Sequence, residues 1–152
     1  ARYNSKRMSG NMFVAKFSAA LNRNDINDAL QRMQSFMAGI PYDLENKTEK
    51  HFQTIIYLVF SLLGYYIQSE VKSAIGRADA VCRTQDCVYV FEFKVDSSAE
   101  VALKQIDDKG YLIPYKFDTT NAANKMRLLK VGVNISTETR TIEGWKVEEA
   151  YS

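Results

Sequence analysis

Apolar residues recur at helical spacing through the first part of the chain and then switch to alternation and short continuous runs. Phe13, Phe17, Ala20 and Leu21 mark a first helix from Asn11, behind a polar, basic segment, Ala1 to Gly10, that reads as a tail. Ile26, Leu30, Met33 and Met37 make one stripe of a second helix, with Asn24 or Asp25 as its N-cap and Gly39 and Pro41 as its stop. A third helix, capped by Asn46 or Thr48, carries Glu49, His51, Phe52 and the apolar block Ile55 to Leu63 before Gly64 closes it. That block falls short of the roughly 20 residues needed to cross a bilayer, so it reads as a buried central helix.

The later segments read as strands. Tyr66 to Val71 is the first, Gly76 to Val81 the second and Val88 to Lys94 the third. Ser97 and Glu100 then form a capping box, and the helix they start turns Ala99, Ala102, Leu103 and Ile106 inward until Gly110. Residues 114 to 127 are loop-like, with Lys116, Lys125 and Arg127. Leu128 to Ile135 and Thr139 to Val147 supply two more strands. The expected fold is α/β, a central mixed sheet of about five strands flanked by helices. Residues 1–44 are a tail and helical lead-in, and 45–152 a core, packed together as one domain.

The chemistry gathers on one hairpin. A turn of two or four residues centred between Gln85 and Asp86 sets Asp79 directly opposite Glu92. Alternation then gives Asp79, Glu92 and Lys94 the same face, with Val81, Val88 and Val90 as its apolar remainder. Cross-strand Cβ atoms lie about 5 Å apart, where two carboxylates repel by about 4 kcal/mol at a protein-like dielectric. A compensating positive charge is expected there. Mg²⁺ suits the donors, because it takes one or two carboxylates with waters and a substrate phosphate, and Lys94 adds a fixed cation. The set could direct a water at a phosphodiester.

Composition narrows the alternatives. The chain has 152 residues, 46% hydrophobic and 25% charged, enough for a single core. A net charge of +2 gives no bulk attraction to nucleic acid, so binding would need a local patch. Cys82 and Cys87 lie on the face opposite Asp79; with no signal peptide, they read as buried thiols in a reducing cytoplasm. The one histidine, His51, leaves no zinc motif and no Ser-His or Cys-His base, and reads as structural. The chain begins with Ala1, as an excised domain or processed product would.

Gly76-Arg77-Ala78-Asp79, then Phe91-Glu92-Phe93-Lys94, then Gln105 with Tyr111 resembles the PD-(D/E)xK nuclease superfamily, in its branch C-terminal to bacterial AAA-type ATPase domains. Ile40-Pro41-Tyr42 and Leu62-Leu63-Gly64-Tyr65 agree, and the likeness covers about residues 13 to 148. Its weight lies in the ordered set, since an acid two residues before a lysine also occurs at Glu45, Glu70 and Asp107. The resemblance implies a restriction-endonuclease-like core and a Mg²⁺ or Mn²⁺ dependent nuclease, with DNA rather than RNA the expected substrate. Asp79 and Glu92 would hold the metal, Lys94 would serve the water, and Glu49 and Gln105 would support them, with Tyr111 beside Gln105. Glu70 and Arg77 are further supporting candidates. An AAA-type ATPase is the implied protein partner. The competing expectation is a module that binds nucleic acid uncut, or docks on such an ATPase through Phe13, Phe17 and the Met-rich helix.

Overall fold

The computed structural model describes residues 2–41, 49–72, 79–116 and 126–150, with side chains in the first helix from Gly10 onward. Four helices, α1 (Arg2–Asn22), α2 (Ile26–Ala38), α3 (Glu49–Leu63) and α4 (Ala99–Asp108), flank a five-stranded sheet. Its strands are β1 (Gln68–Val71), β2 (Ala80–Arg83), β3 (Cys87–Val95), β4 (Arg127–Ser136) and β5 (Thr141–Glu149). They lie in sequence order across the sheet, antiparallel except for β3 and β4, which run parallel around α4. This is the expected mixed sheet of a restriction-endonuclease-like α/β fold.

Alternation divides the core in two. Ala80, Cys82, Tyr89, Phe91, Phe93, Val131 and Val133 face α1, α2 and α3, where Phe17, Phe52 and Phe60 are fully buried. Burial of each such ring is worth about 2–3 kcal/mol. Val81, Val88, Val90 and Leu128 face the other way, onto Leu103 and Ile106 of α4 and onto Tyr111 and Leu112. α2 is tied to β5 by Thr141 Oγ1 donating to Gln34 O at 2.6 Å, Gln34 Nε2 to Ile142 O at 2.7 Å, and Trp145 Nε1 to Asn27 Oδ1 at 2.9 Å.

Several expectations are corrected. Arg2–Gly10 is no tail but the opening of α1. Residues 2–9 carry no apolar period, yet they lengthen a helix already nucleated by the packed stripe from Phe13 to Leu21, and extension is far cheaper than nucleation. Phe13, Phe17, Met33 and Met37 are buried inside the chain, so they form no docking face. β1 begins at Gln68 because the amides of Tyr66 and Ile67 still bond to Leu63 O, completing the end of α3. Asp79 stands one residue before β2, since its side chain takes an amide of β3 in place of a ladder bond. β5 starts at Thr141, after a turn in which Asp96 accepts from Thr137 N and Oγ1, and runs on to Glu149.

The start of α4 also differs. Ser98, not Ser97, is its N-cap, accepting from Val101 N at 3.1 Å, because the Ser97 amide is already bonded to Asn134 Oδ1 at 2.9 Å. Glu100 is therefore no capping-box partner and pairs with Lys146 of β5 at 2.7 Å. The caps expected of Asn46 and Thr48, the Gly76-Arg77-Ala78 turn, Tyr42, the Glu45 to Lys47 pair and Lys125 lie outside the described residues.

Candidate active site

The β2–β3 hairpin sets the site. Thr84 N donates to Cys87 O at 2.9 Å, so Gln85 and Asp86 form the two-residue turn and each pair up the ladder follows, from Arg83 with Val88 to Ala80 with Phe91. One step further, the same register brings Asp79 to Glu92. Asp79 Oδ2 accepts from Phe93 N at 2.8 Å, fixing its carboxylate beside β3. Lys94 follows two residues after Glu92 on the same face.

α4 closes over this face. Its buried residues, Ala99, Ala102, Leu103 and Ile106, are apolar, and its close approach depends on Gly132 of β4, which is paired with Glu92. A Cβ at Gly132 would lie 2.4 Å from Ala99 O and 3.0 Å from Leu103 N. Only glycine lets the helix lie that near the sheet. Gln105 is thereby delivered to the carboxylates: its Oε1 accepts from Lys94 Nζ, and its Nε2 donates to Glu92 Oε1 at 2.9 Å and to Tyr111 OH at 3.3 Å. A lysine can only donate, so the orientation of the amide is determined.

Glu92 is 2% exposed, and its Oε2 is buried with no hydrogen-bond partner. Burial, and after it the Asp79 charge, push its carboxyl up to about 8, against the opposing pull of Lys94 and Lys72. An acid in this state holds a proton at neutral pH unless a cation replaces it. The donor set fits a hard divalent ion: two carboxylates side by side, one orphaned buried oxygen, and lysines at the margin. Among the described residues, no three Asp, Glu, His or Cys side chains gather at metal-binding separation. Water and phosphate oxygens would supply the remaining ligands, the usual coordination of Mg²⁺.

The site opens into a cleft of about 600 Å³ lined by Asp79, Glu92, Lys94 and Gln105, and by Glu49 in the first turn of α3. Glu49 thus reaches the cleft without joining the carboxylate pair. Tyr111 is buried behind Gln105. Glu70 pairs with Val81 and so shares the Asp79 face, but it lines a neighbouring hollow with Gln68 and Arg83 and accepts from Tyr115 OH at 3.5 Å. His51 packs its ring against Phe52, at 5.9 Å between centroids. Arg77 lies outside the described residues. Both cysteines are free and buried, and burial raises the Cys82 thiol to about 12.

Two contributions to the cleft were not foreseen. Lys72 bonds through its amide to Asp79 O at 2.9 Å, and its Nζ stands 3.7 Å from Asp79 Oδ1. The alternation from Glu70 to Lys72 could have indicated it once the register of β1 was known. The exposed wall of α3, Lys50, Gln53, Thr54 and Tyr57, also faces the cleft, at the i, i+3, i+4, i+7 spacing of a single helical face.

The sheet thus sets an acid pair and a lysine against a helical glutamine at the floor of the cleft. The chain belongs to the PD-(D/E)XK nuclease superfamily, whose profile matches residues 47–145. An uncharacterized protein in the vnfD 5' region of Azotobacter chroococcum mcd 1 is 30% identical over 132 residues, covering 82% of this chain and 24% of that protein. The chain therefore spans about a quarter of that relative's length. No solved structure matches. Among the described residues, no helix is long and apolar enough to cross a membrane.

Proposed function

We propose that this chain is a metal-dependent nuclease domain that hydrolyses phosphodiester bonds, with DNA ahead of RNA as substrate and Mg²⁺ or Mn²⁺ as the ion. The observation that carries this reading is the buried Glu92 with its unpartnered Oε2, set by the hairpin register beside the Asp79 carboxylate. Such an arrangement opposes folding and is retained where function uses it.

Asp79 and Glu92 would hold the ion, which supplies Lewis-acid stabilisation of the charge developing on the phosphate and a more acidic bound water. Lys94, anchored by Gln105, presents a fixed positive charge to the attacking water and to the phosphate oxygens. Gln105 acts through Lys94 and Glu92 by fixing where each points, with Tyr111 bracing the amide from behind. Glu49 lines the same cleft and would help to orient water. Burial beneath α4 excludes bulk water from Glu92 and strengthens each of these interactions. The greater length of the Azotobacter protein is compatible with a further domain in the whole protein, for which an AAA-type ATPase is the proposed identity.

The deciding experiment is cleavage of supercoiled plasmid, linear duplex, single-stranded DNA and RNA with Mg²⁺, Mn²⁺ or EDTA, beside Lys94→Ala and Asp79→Ala. Metal-dependent cutting lost in both variants supports the reading and ranks the substrates. Wild type as inert as the variants on all four would overturn it.

A further inference from the structure

Among the described residues, three lysines line the cleft, Lys50, Lys72 and Lys94. Lys94 is engaged, since its Nζ donates to Gln105. Lys72 is held loosely: its Nζ lies 3.7 Å from Asp79 Oδ1, beyond the roughly 2.7–2.9 Å of a charge-assisted hydrogen bond, and its side chain is 38% exposed. Lys130, on the same side of the sheet, shows what a structural lysine looks like here. It is 10% exposed and bonded to Asp107 at 2.9 Å and Glu148 at 3.0 Å.

A loose, part-exposed pair adds little to stability, so holding the fold does not explain Lys72. Its placement is nonetheless fixed. The 2.9 Å bond from its amide to Asp79 O sets it at the sheet edge across from Asp79, with its ammonium in the cleft. The ammonium of Lys72 faces the Asp79 carboxylate. Once the carboxylates are matched by a divalent cation, Lys72 loses its counter-charge, and a phosphodiester can replace it.

We propose that Lys72 is a phosphate-binding residue of this cleft, holding a backbone phosphate of the bound nucleic-acid strand next to the carboxylate pair. The proposal rests on the nuclease reading above and adds a substrate contact to it. Lys72 acts as a flexible point charge, so it binds phosphate without reading sequence.

The test compares wild type, Lys72→Ala and Lys72→Arg for binding of fluorescent single-stranded and duplex oligonucleotides in Ca²⁺, from about 50 to 200 mM salt, with Mn²⁺ binding measured by calorimetry. Loss of one phosphate contact should weaken binding of both oligonucleotides about tenfold in Lys72→Ala and lower the salt slope by about 0.7–0.9. Lys72→Arg should restore most of the slope. Mn²⁺ should bind Lys72→Ala as tightly as wild type or more so, because a like charge beside the ion is gone. An unchanged slope overturns the proposal, as does a wild type that binds neither oligonucleotide. Weaker Mn²⁺ binding in Lys72→Ala also overturns it, and identifies Lys72 as the lysine that orders Asp79. Cleavage by wild type is scored separately, so failure of the nuclease reading is distinguishable from failure of this contact.

Discussion

Glu92→Gln should make the metal-free protein more stable, and only at high pH. In the folded chain the Glu92 carboxyl is raised from 4.5 to about 8 by burial and by Asp79. The folded state thus binds a proton that the unfolded state releases between those values, and stability falls as pH rises through that interval. At about 1.4 kcal/mol per pH unit, the ceiling on the loss is about 5 kcal/mol. The proton is shared with Asp79, and local rearrangement lets water reach the pair, so about 2–3 kcal/mol is the expected size. Glutamine keeps the shape, accepts from Gln105 and can donate to Asp79, so it mimics the protonated acid at every pH. Urea unfolding in EDTA, followed by far-UV circular dichroism and Trp145 fluorescence, gives the comparison. Wild type and variant should be within about 1 kcal/mol at pH 5 and should separate progressively to pH 9 in favour of the variant. Mg²⁺ should restore wild type at pH 9 and leave the variant unmoved. A difference that does not change with pH would refute both the raised acid and the repulsion inferred between Asp79 and Glu92.

Gln105→Ala should lower metal-dependent cleavage about 10–100-fold, while melting close to wild type, because Lys94 and Glu92 lose the amide that orients them; equal rates in a single-turnover assay would contradict this. Gly132→Ala should destabilise by about 1–3 kcal/mol and lower activity with it, since a Cβ 2.4 Å from Ala99 O must displace the helix that carries Gln105; this is checked by urea denaturation. Phe60→Ala, which empties a fully buried position between the sheet and α3, should cost about 3–5 kcal/mol by the same measurement. Cys82 should resist thiol labelling at pH 8 until the protein unfolds, because burial keeps its thiol protonated; rapid labelling of the native protein would count against that burial.

How far the site could be read from sequence depends on where its constraints lie. Asp79 opposite Glu92 was legible because both ends of one hairpin are local: two strands and a turn leave few registers, and alternation does the rest. Lys72 was not, because the connection over residues 73–78 does not fix how β1 meets β2, and a slip of one residue would turn Lys72 away. Gln105 read as a border position of an amphipathic helix. Its partners lie on β3, at a separation set by Gly132 on another strand, so only the resemblance pointed to it. The cap of α4 moved by one residue for a similar reason: Asn134, remote in sequence, takes the amide of Ser97.

The same contrast bears on what the site is for. Lys130, on the same side of the sheet, is matched by Asp107 and Glu148, and the two core clusters bury apolar positions that match their period. At Asp79 and Glu92 local and global preferences conflict: the hairpin register that buries Val81, Val88 and Val90 also forces two acids together beneath α4. A sequence free of function could relieve this with one amide in place of either acid, at no loss of packing. Under the proposed reading, a divalent ion between the acids and a phosphate on the lysines would resolve this conflict.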